Sequence, residues 1–224
     1  MDRPSPAVQD YLKAIYRLAD ESPEVALVTT SQVAEALAVT AASASNMLKK
    51  LGEMGLVDQT PRQGVTLTDS GRQAALEVIR HHRLLETYLA TKLGVPWDEV
   101  HREAEILEHH ISEELEERIA AALGHPSHDP HGDPIPTAAG QVTAPAADPL
   151  ADLPDGSRGV VRRVSDRDPA LLRYLAERGL VPDATVEVMG RAPFGGPVSV
   201  RVGGETVVEV PPEAARAVYV GQGE

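Results

Sequence analysis

Residues 100–115, VHREAEILEHHISEEL, combine three histidines with several glutamates in a stretch whose apolar spacing predicts a helix. An α-helix turns by about 100° per residue, so His101, Glu105, Glu108 and His109 would share an arc of roughly 100° beside the apolar stripe. Imidazole and carboxylate groups at these spacings can bind a divalent cation, as they do in helical bundles. A His–Glu pair at this spacing is more often a surface interaction on an acidic helix face than a pair of ligands, and both interpretations stay open at this point.

Two other segments carry potential metal ligands. The preceding predicted helix contains His82 and Glu86, four residues apart on one face, and the first predicted helix contains Asp10 just before its apolar stripe. Three helices could therefore each contribute ligands. The chain has no cysteine, so the donors are carboxylate and imidazole groups, which suit Mn²⁺ or Fe²⁺ and also accept Zn²⁺, Co²⁺ or Ni²⁺.

The sequence lacks the motifs of common enzyme classes. No histidine is followed by glutamate and a second histidine in the HExxH spacing of zinc metalloproteases. No nucleophile elbow and no phosphate-binding loop are present either. We therefore predict that the protein is not an enzyme and has no small organic substrate.

The composition is that of a globular chain. Hydrophobic residues make up 42% of the 224, and no apolar run approaches the roughly 20 residues of a membrane-spanning helix. Without cysteine or an apolar signal core, the chain is predicted to be cytoplasmic and to have no membrane partner. The net charge of −13 argues against nonspecific binding to nucleic acid, but the acidic excess lies in the middle and the tail of the chain. The first segment is therefore judged by its own pattern.

That first segment has the helical elements of a helix–turn–helix. Apolar spacing predicts a first helix over about residues 7–18. Thr30 or Ser31 could cap a short second helix, and Thr40 could cap a third. The third helix would be the recognition helix of a DNA-binding domain.

A predicted hairpin completes this segment. Gly55 stands where a C-terminal helix cap is expected. Two short alternating strands follow, around residues 56–59 and 65–67, and TPRQG between them has the residues of a hairpin turn. Helix, turn, helix and hairpin in this order predict a winged helix.

The rest of the chain divides by composition. Helical spacing predicts long helices over about residues 71–93 and 99–123. Residues 124–155 are rich in Pro, Gly, Ala and Asp without sustained periodicity, which predicts a loop and linker. Short alternating runs follow Gly156, interrupted by a brief helix over about residues 169–178, and they predict a small all-β barrel.

Taken together, several of these stretches resemble the diphtheria toxin repressor family, most closely its manganese-responsive branch. They are ALAVTAASASNMLKKLGEMGLV, HRLLETYL, VHREAEILEHHISEELEERI and HPSHDPHGDPIP, and the likeness covers almost the whole chain. The resemblance implies a mainly α protein with a winged-helix domain (1–72), a helical dimerisation and metal-binding domain (73–140), a linker (141–155) and a small all-β SH3-like barrel (156–224). It also implies a metal-dependent transcriptional regulator that binds palindromic double-stranded operator DNA as a homodimer and controls metal-homeostasis genes.

Two metal sites follow from the resemblance. The family's positions for the primary site correspond here to Asp10, Glu105, Glu108 and His109. Its positions for an ancillary site correspond to His82, Glu86 and His101, completed by an acceptor from the SH3-like domain, which we assign to Asp166.

The donors at positions 10 and 105 bear on the identity of the metal. The iron-responsive branch has a softer sulfur ligand at both, whereas this chain has oxygen donors. Mn²⁺ is therefore the predicted ion and Fe²⁺ the alternative, while Zn²⁺, Co²⁺, Ni²⁺ or Cd²⁺ could substitute in vitro. Lys13 stands where manganese regulators without the C-terminal domain have a carboxylate for a paired-metal cluster. A charged lysine cannot bind a metal, so we expect a primary site and a separate ancillary site.

The residues predicted to contact DNA are polar or basic. They are Thr40, Ser43 and Asn46 at the start of the recognition helix, Lys49 and Lys50 further along it, and Arg62 in the wing. Asparagine suits adenine recognition, and the basic residues suit the phosphate backbone. A helical hairpin used for protein contact is the alternative interpretation of this segment.

Two further points remain open in the sequence. His125, His128 and His131 in HPSHDPHGDPIP could form another metal site, but the prolines between them predict a rigid loop, and the resemblance gives this stretch no ligand role. An alternative function is a metal-buffering or iron-transport accessory protein, in which the SH3-like domain would be the relevant part.

Overall fold

The computed structural model describes residues 4–21 and 27–222, and these form two compact units. Of the described residues, the first unit comprises 4–21, 27–81, 108–111 and 136–141. The second comprises 82–107, 112–135 and 142–222. No helix within the described part of the chain is both long and apolar enough to cross a membrane.

The first unit begins with the predicted winged-helix elements. Helices α1 (Pro6–Glu21), α2 (Thr30–Ala36) and α3 (Ala41–Glu53) are followed by strands β1 (Val57–Thr60) and β2 (Gly64–Leu67). Their apolar faces meet in a core that includes Leu12, Ile15, Val33, Leu48 and Leu51. The order and the bounds of these elements confirm the predicted N-terminal fold.

The predicted N-terminal capping residue is correct for α3 and wrong for α2. Thr40 caps α3, because its hydroxyl accepts a hydrogen bond from the backbone N–H of Ser43. The prediction of Thr30 or Ser31 as the cap of α2 was wrong. Thr29 caps this helix through a reciprocal arrangement with Gln32, in which each side chain bonds the other's backbone N–H.

The wing is an antiparallel hairpin tied to the rest of the domain. β1 and β2 pair from Val57 opposite Leu67 to Thr60 opposite Gly64, and Val28 adds a bridge to Val65. Gly64 has a φ of 150°, and a Cβ there would lie 2.4 Å from the carbonyl oxygen of Val28. Only glycine therefore allows the wing to approach the segment before α2 so closely.

In the central region one of the two predicted long helices is present and the other is divided. α4 (Asp69–Leu93) matches the expected long helix. The single helix predicted over 99–123 was wrong, because it is divided into α5 (Val100–Leu107) and α6 (Glu113–Ala122) by a turn. The hydroxyl of Ser112 accepts a hydrogen bond from the N–H of Leu115, and acidic residues fill the first turn of α6, so a new helix starts there.

The C-terminal part of the second unit is the predicted small all-β domain. Its elements are β3 (Asp148–Pro149), β4 (Arg158–Val164), α7 (Pro169–Ala176), β5 (Thr185–Arg191), β6 (Val198–Val202), β7 (Thr206–Val210), α8 (Pro212–Arg216) and β8 (Val218–Gly221). The strands form one antiparallel sheet in the order β3-β8-β4-β5-β6-β7. The sequence did not reveal β3 or α8. Alternate valines of the strands form its core with leucines of α7.

Candidate metal centres and nucleic-acid interface

The turn between α5 and α6 presents Glu108 and His109 to α1 within the first unit. Nε2 of His109 lies 2.9 Å from Oδ1 of Asp10 and 3.5 Å from Oε1 of Glu108. Nδ1 of His109 donates a hydrogen bond of 2.7 Å to the amide oxygen of Gln9, which is buried. That bond leaves Nε2 as the nitrogen directed at the carboxylates, the orientation that an outer hydrogen bond gives to a metal-binding histidine.

Lys13 is part of the same cluster. Its ammonium lies 2.9 Å and 2.8 Å from the two oxygens of Glu108, and the two side chains are 6% and 1% exposed. Lys13 therefore balances the charge of Glu108 in the buried interior. The turn is also fixed by His81, whose Nδ1 donates to the backbone carbonyl of Glu108 at 3.2 Å.

Glu105 is placed differently from Glu108. It lies on α5 in the second unit, where its side chain is half exposed and its Oε1 is 3.7 Å from Nε2 of His101. An uninterrupted helix would place residues 101–109 on one arc. Because α5 ends at Leu107, Glu108 and His109 do not continue that arc.

A second cluster of donors lies within the second unit. Oε1 of Glu86 is 3.0 Å from Nε2 of His82 and 3.1 Å from Nδ1 of His101, and these two nitrogens are 3.1 Å apart. Ligands at right angles around an ion at about 2.1 Å are separated by roughly 3 Å, so this triangle fits one face of an octahedral site. Oδ2 of Asp166 lies 3.3 Å from Nδ1 of His101. The neighbouring Asp168 is not available in the same way, because it caps α7.

The charges of this cluster depend on one another. Burial alone would lower the pKa of His101, but Asp166 and Glu86 outweigh it and raise that pKa to about 9. Burial alone would raise the pKa of Glu86, but the imidazoles of His82, His101 and His131 hold it well below its usual range. Without a metal the cluster therefore holds a proton on His101 at neutral pH, and a cation could replace that proton.

The loop after α6 brings a further histidine to Glu86. The side chain of His131 is fully buried, and its Nδ1 lies 3.9 Å from Oε2 of Glu86. Asp129 is buried beside them, and burial together with the charges of Asp133 and Glu86 raises its pKa well above the usual range. We considered His131 as a ligand only together with His125 and His128, and Asp129 not at all, because only the folded chain brings these two loop residues to α4.

The residues predicted to contact DNA are all exposed in the first unit. Ser43, Asn46, Lys49 and Lys50 are exposed on α3, whereas Ala44, Leu48 and Leu51 are buried beneath them. Thr40 is also exposed, and Arg62 is exposed at the tip of the wing with a φ of 64°. Nε2 of Gln59 donates a hydrogen bond of 2.6 Å to the carbonyl oxygen of Leu48, which joins the wing to α3.

A winged helix combined with buried clusters of imidazole and carboxylate groups defines a class of protein, the metal-dependent DNA-binding regulators. Comparison with known proteins agrees with this class. Residues 5–65 match the iron dependent repressor N-terminal DNA binding domain, and residues 68–137 match the iron dependent repressor metal binding and dimerisation domain. Residues 149–221 match the FeoA domain, which is SH3-like.

Among curated proteins, the iron-dependent repressor IdeR of Mycobacterium tuberculosis is 35% identical over 222 residues, which cover 94% of each chain. The diphtheria toxin repressor of Corynebacterium diphtheriae is 31% identical over 156 residues, or 69% of this chain and 68% of that protein. The chain belongs to the iron-dependent repressor family, whose members are metal-dependent transcriptional repressors and not enzymes.

Solved structures with the same fold include manganese regulators. One described as a manganese-dependent transcriptional repressor in complex with manganese is 47% identical, with a TM-score of 0.87 over 96% of this chain and 99% of that one. A structure of ScaR with bound Cd²⁺ is 30% identical, with a TM-score of 0.81 over 98% of this chain and all of that one. These similarities confirm the predicted fold class and family.

Proposed function

We propose that this protein is a Mn²⁺-activated repressor that binds palindromic operator DNA as a homodimer and controls genes of metal homeostasis. The observation that carries the proposal is the convergence of His82, Glu86 and His101, whose donor atoms form a triangle with sides of 3.0–3.1 Å. Such spacing fits a divalent cation, which would replace the proton that His101 holds in the metal-free cluster. Asp166 is the proposed fourth ligand.

The primary site is proposed at Asp10, Glu108 and His109. Glu105 stays in the ligand set as the family resemblance implies, three residues before Glu108. A bound cation supplies positive charge and directed bonds to oxygen and nitrogen ligands. Asp10 belongs to α1 of the winged helix, whereas Glu108 and His109 belong to the turn after α5. Joint ligation would therefore favour one arrangement of the winged helix and the turn, and we infer that this arrangement is the one that binds DNA.

The proposed DNA contacts are those of the exposed α3 and the wing. Asn46 is assigned to base recognition in the major groove, with Thr40 and Ser43 beside it at the start of α3. Lys49, Lys50 and Arg62 are assigned to phosphates. The proposed domain division stays at residues 1–72, 73–140 and 156–224, with 141–155 as the linker.

Manganese is proposed over iron because the proposed ligands are oxygen and imidazole groups without sulfur. The similarity to a repressor solved with manganese supports this choice, whereas the similarity to IdeR supports Fe²⁺ as the alternative. The test is an anaerobic titration of Mn²⁺ or Fe²⁺ into the protein with fluorescent DNA from its own upstream region, followed by anisotropy. We expect tight DNA binding at lower free Mn²⁺ than free Fe²⁺. A clear preference for Fe²⁺ would overturn the choice of metal, and no binding with either ion would favour the accessory-protein alternative.

A further inference from the structure

The carboxylate of Glu86 has two oxygens, and only one of them contacts the histidines of the second cluster. Oε1 lies against His82 and His101, at 3.0 Å and 3.1 Å. Oε2 is buried and has no hydrogen-bond partner among the described residues. A buried carboxylate oxygen without a partner is costly, so a group of opposite charge is expected on this side.

His131 directs its Nδ1 at this oxygen. Its other ring nitrogen, Nε2, donates a hydrogen bond of 2.8 Å to the carbonyl oxygen of Trp97, which fixes the orientation of the ring. Nδ1 is buried and, like Oε2 of Glu86, has no hydrogen-bond partner among the described residues. These two atoms face each other across 3.9 Å, a separation that one ion about 2 Å from each would span.

Asp129 adds a carboxylate to the same pocket. One of its oxygens, Oδ1, accepts hydrogen bonds of 2.9 Å from the backbone N–H groups of His131 and Asp133, which fixes the side chain. Its donor atom and those of Glu86 and His131 all lie within 4.8 Å of one another, and the three residues are buried. The other oxygen, Oδ2, forms an ion pair with Arg83, whose Nε lies 3.7 Å away.

The loop is held in a shape that keeps His131 in place. Gly132 has a φ of 88°, and a Cβ there would lie 2.0 Å from the carbonyl oxygen of Arg162 on β4. The carbonyl oxygen of His131 accepts a hydrogen bond of 2.8 Å from the N–H of Val164. Trp97 stacks on the His131 ring with centroids 5.6 Å apart, so the imidazole cannot turn away freely.

We propose that Oε2 of Glu86, Nδ1 of His131 and the carboxylate of Asp129 bind a further divalent cation. Glu86 would bridge this cation to the one at His82 and His101, and the two ions would lie roughly 4 Å apart, as in other two-metal sites. The inference rests on the proposed function only because Glu86 would be a ligand in both sites. The chain would then bind one more ion than its two proposed regulatory sites require.

The direct test uses the wild-type chain crystallised with Mn²⁺ alone, with diffraction data collected for the anomalous signal of manganese. We expect an anomalous peak between Glu86 and His131, separate from the peak at His82 and His101. A water without anomalous signal at that position would overturn the inference. A missing peak at His82 and His101 would instead contradict the proposed function, so the two failures are distinguishable.

Variants provide a second measurement in solution. His131→Gln should bind one Mn²⁺ fewer per chain after dialysis, and Asp129→Asn should weaken binding of the same ion. Elemental analysis against protein concentration measures the number of bound ions. His125→Asn is the matched control, because His125 is exposed in the same loop and asparagine tolerates its φ of 53°. Unchanged stoichiometry in a folded His131→Gln variant would contradict the proposal.

Discussion

The ammonium of Lys13 contacts both oxygens of Glu108 in the buried interior of the first unit. The carboxylate that we propose as a metal ligand is therefore neutralised before any ion binds. This pairing agrees with the expectation that a lysine at this position prevents a close pair of ions. It also means that the side chain of Glu108 is held in place in the metal-free protein.

The variant Lys13→Met should destabilise the metal-free protein by roughly 3–5 kcal/mol, since it removes the ammonium that contacts both oxygens of the buried Glu108. Saturating Mn²⁺ should recover part of this loss, because the cation would replace the missing charge. Urea unfolding with and without Mn²⁺ measures both effects. Lys49→Met is the control, because Lys49 is exposed and its nearest oxygen on Glu53 is 3.8 Å away, so stability should hardly change. Equal loss in the two variants would contradict this role for Lys13.

The raised pKa of His101 predicts a pH dependence of metal binding at the second cluster. The pKa is about 9 in the folded metal-free protein, whereas an unfolded histidine titrates near about 6.5. The protonated ring therefore stabilises the metal-free fold fully below about pH 6.5, and this contribution is lost as the pH rises through about 9. A metal needs the neutral ring, so the apparent affinity for Mn²⁺ should rise with pH, by at most about tenfold per unit.

Anaerobic calorimetry of wild type and His101→Gln between about pH 6.5 and about 8.5 measures this dependence. Titrations in buffers of different ionisation enthalpy report the number of protons released. We expect release of close to one proton from this cluster in wild type and a flatter profile in the variant. An affinity that stays constant over the range would refute the proposed exchange of proton for cation.

At the scale of elements, the break between α5 and α6 determines the geometry of the proposed primary site. An uninterrupted helix would continue past Leu107, whereas the turn directs Glu108 and His109 at α1. Ser112 caps the start of α6, so we expect the cap to help hold the two proposed ligands in place. Thr40 caps the start of α3, the proposed recognition helix, in the same way.

Ser112→Ala should therefore cost about 1 kcal/mol of stability, the usual effect of losing an N-terminal cap. We also expect weaker Mn²⁺ binding at Asp10, Glu108 and His109, because the turn would be less well held. Ser112→Asp retains a capping oxygen and should behave like wild type. Urea unfolding and Mn²⁺ titration of the two variants would show the difference, and identical behaviour of alanine and aspartate would argue against the cap.

Local patterns predicted most of these elements, and the failures have physical reasons. Thr40, Gly55 and the TPRQG turn are signals of short range, so the winged helix was recognisable. The break after Leu107 was missed because Ala104, Leu107 and Ile111 continue one apolar stripe through it. The capping signal of Ser112 followed by glutamates was present but conflicted with that stripe. α8 was missed because five residues beginning with proline look like a turn.

The sequence indicated the residue types of the proposed sites but not the contacts that these residues make. Imidazole and carboxylate groups at helical spacing, together with the family resemblance, nominated the ligands. The pairing of Lys13 with Glu108 spans 95 positions, and no local pattern encodes such a contact. The approach of His131 to Glu86 likewise depends on the path of the loop over β4.

The whole molecule carries a net charge of −13, so DNA binding has to overcome general repulsion. The proposed coupling between metal and DNA binding would reduce this repulsion, because bound cations neutralise the ligand carboxylates. It would also favour the one arrangement of the winged helix that binds DNA. Binding of metal and DNA must then be reciprocal, each raising the affinity for the other by the same factor. This reciprocity is what distinguishes a metal-activated repressor from a protein that merely binds both.

The most direct test measures DNA affinity by anisotropy, with and without saturating Mn²⁺, for wild type, Asp10→Ala and Asp20→Ala. Asp10 is partly exposed and Asp20 is an exposed carboxylate on the same helix, so the two variants change charge equally. We expect Mn²⁺ to tighten DNA binding of wild type and Asp20→Ala by about 5- to 150-fold, the usual range of such coupling, and to leave Asp10→Ala almost unresponsive. An Asp10→Ala protein that still responds to Mn²⁺ as wild type does would contradict it.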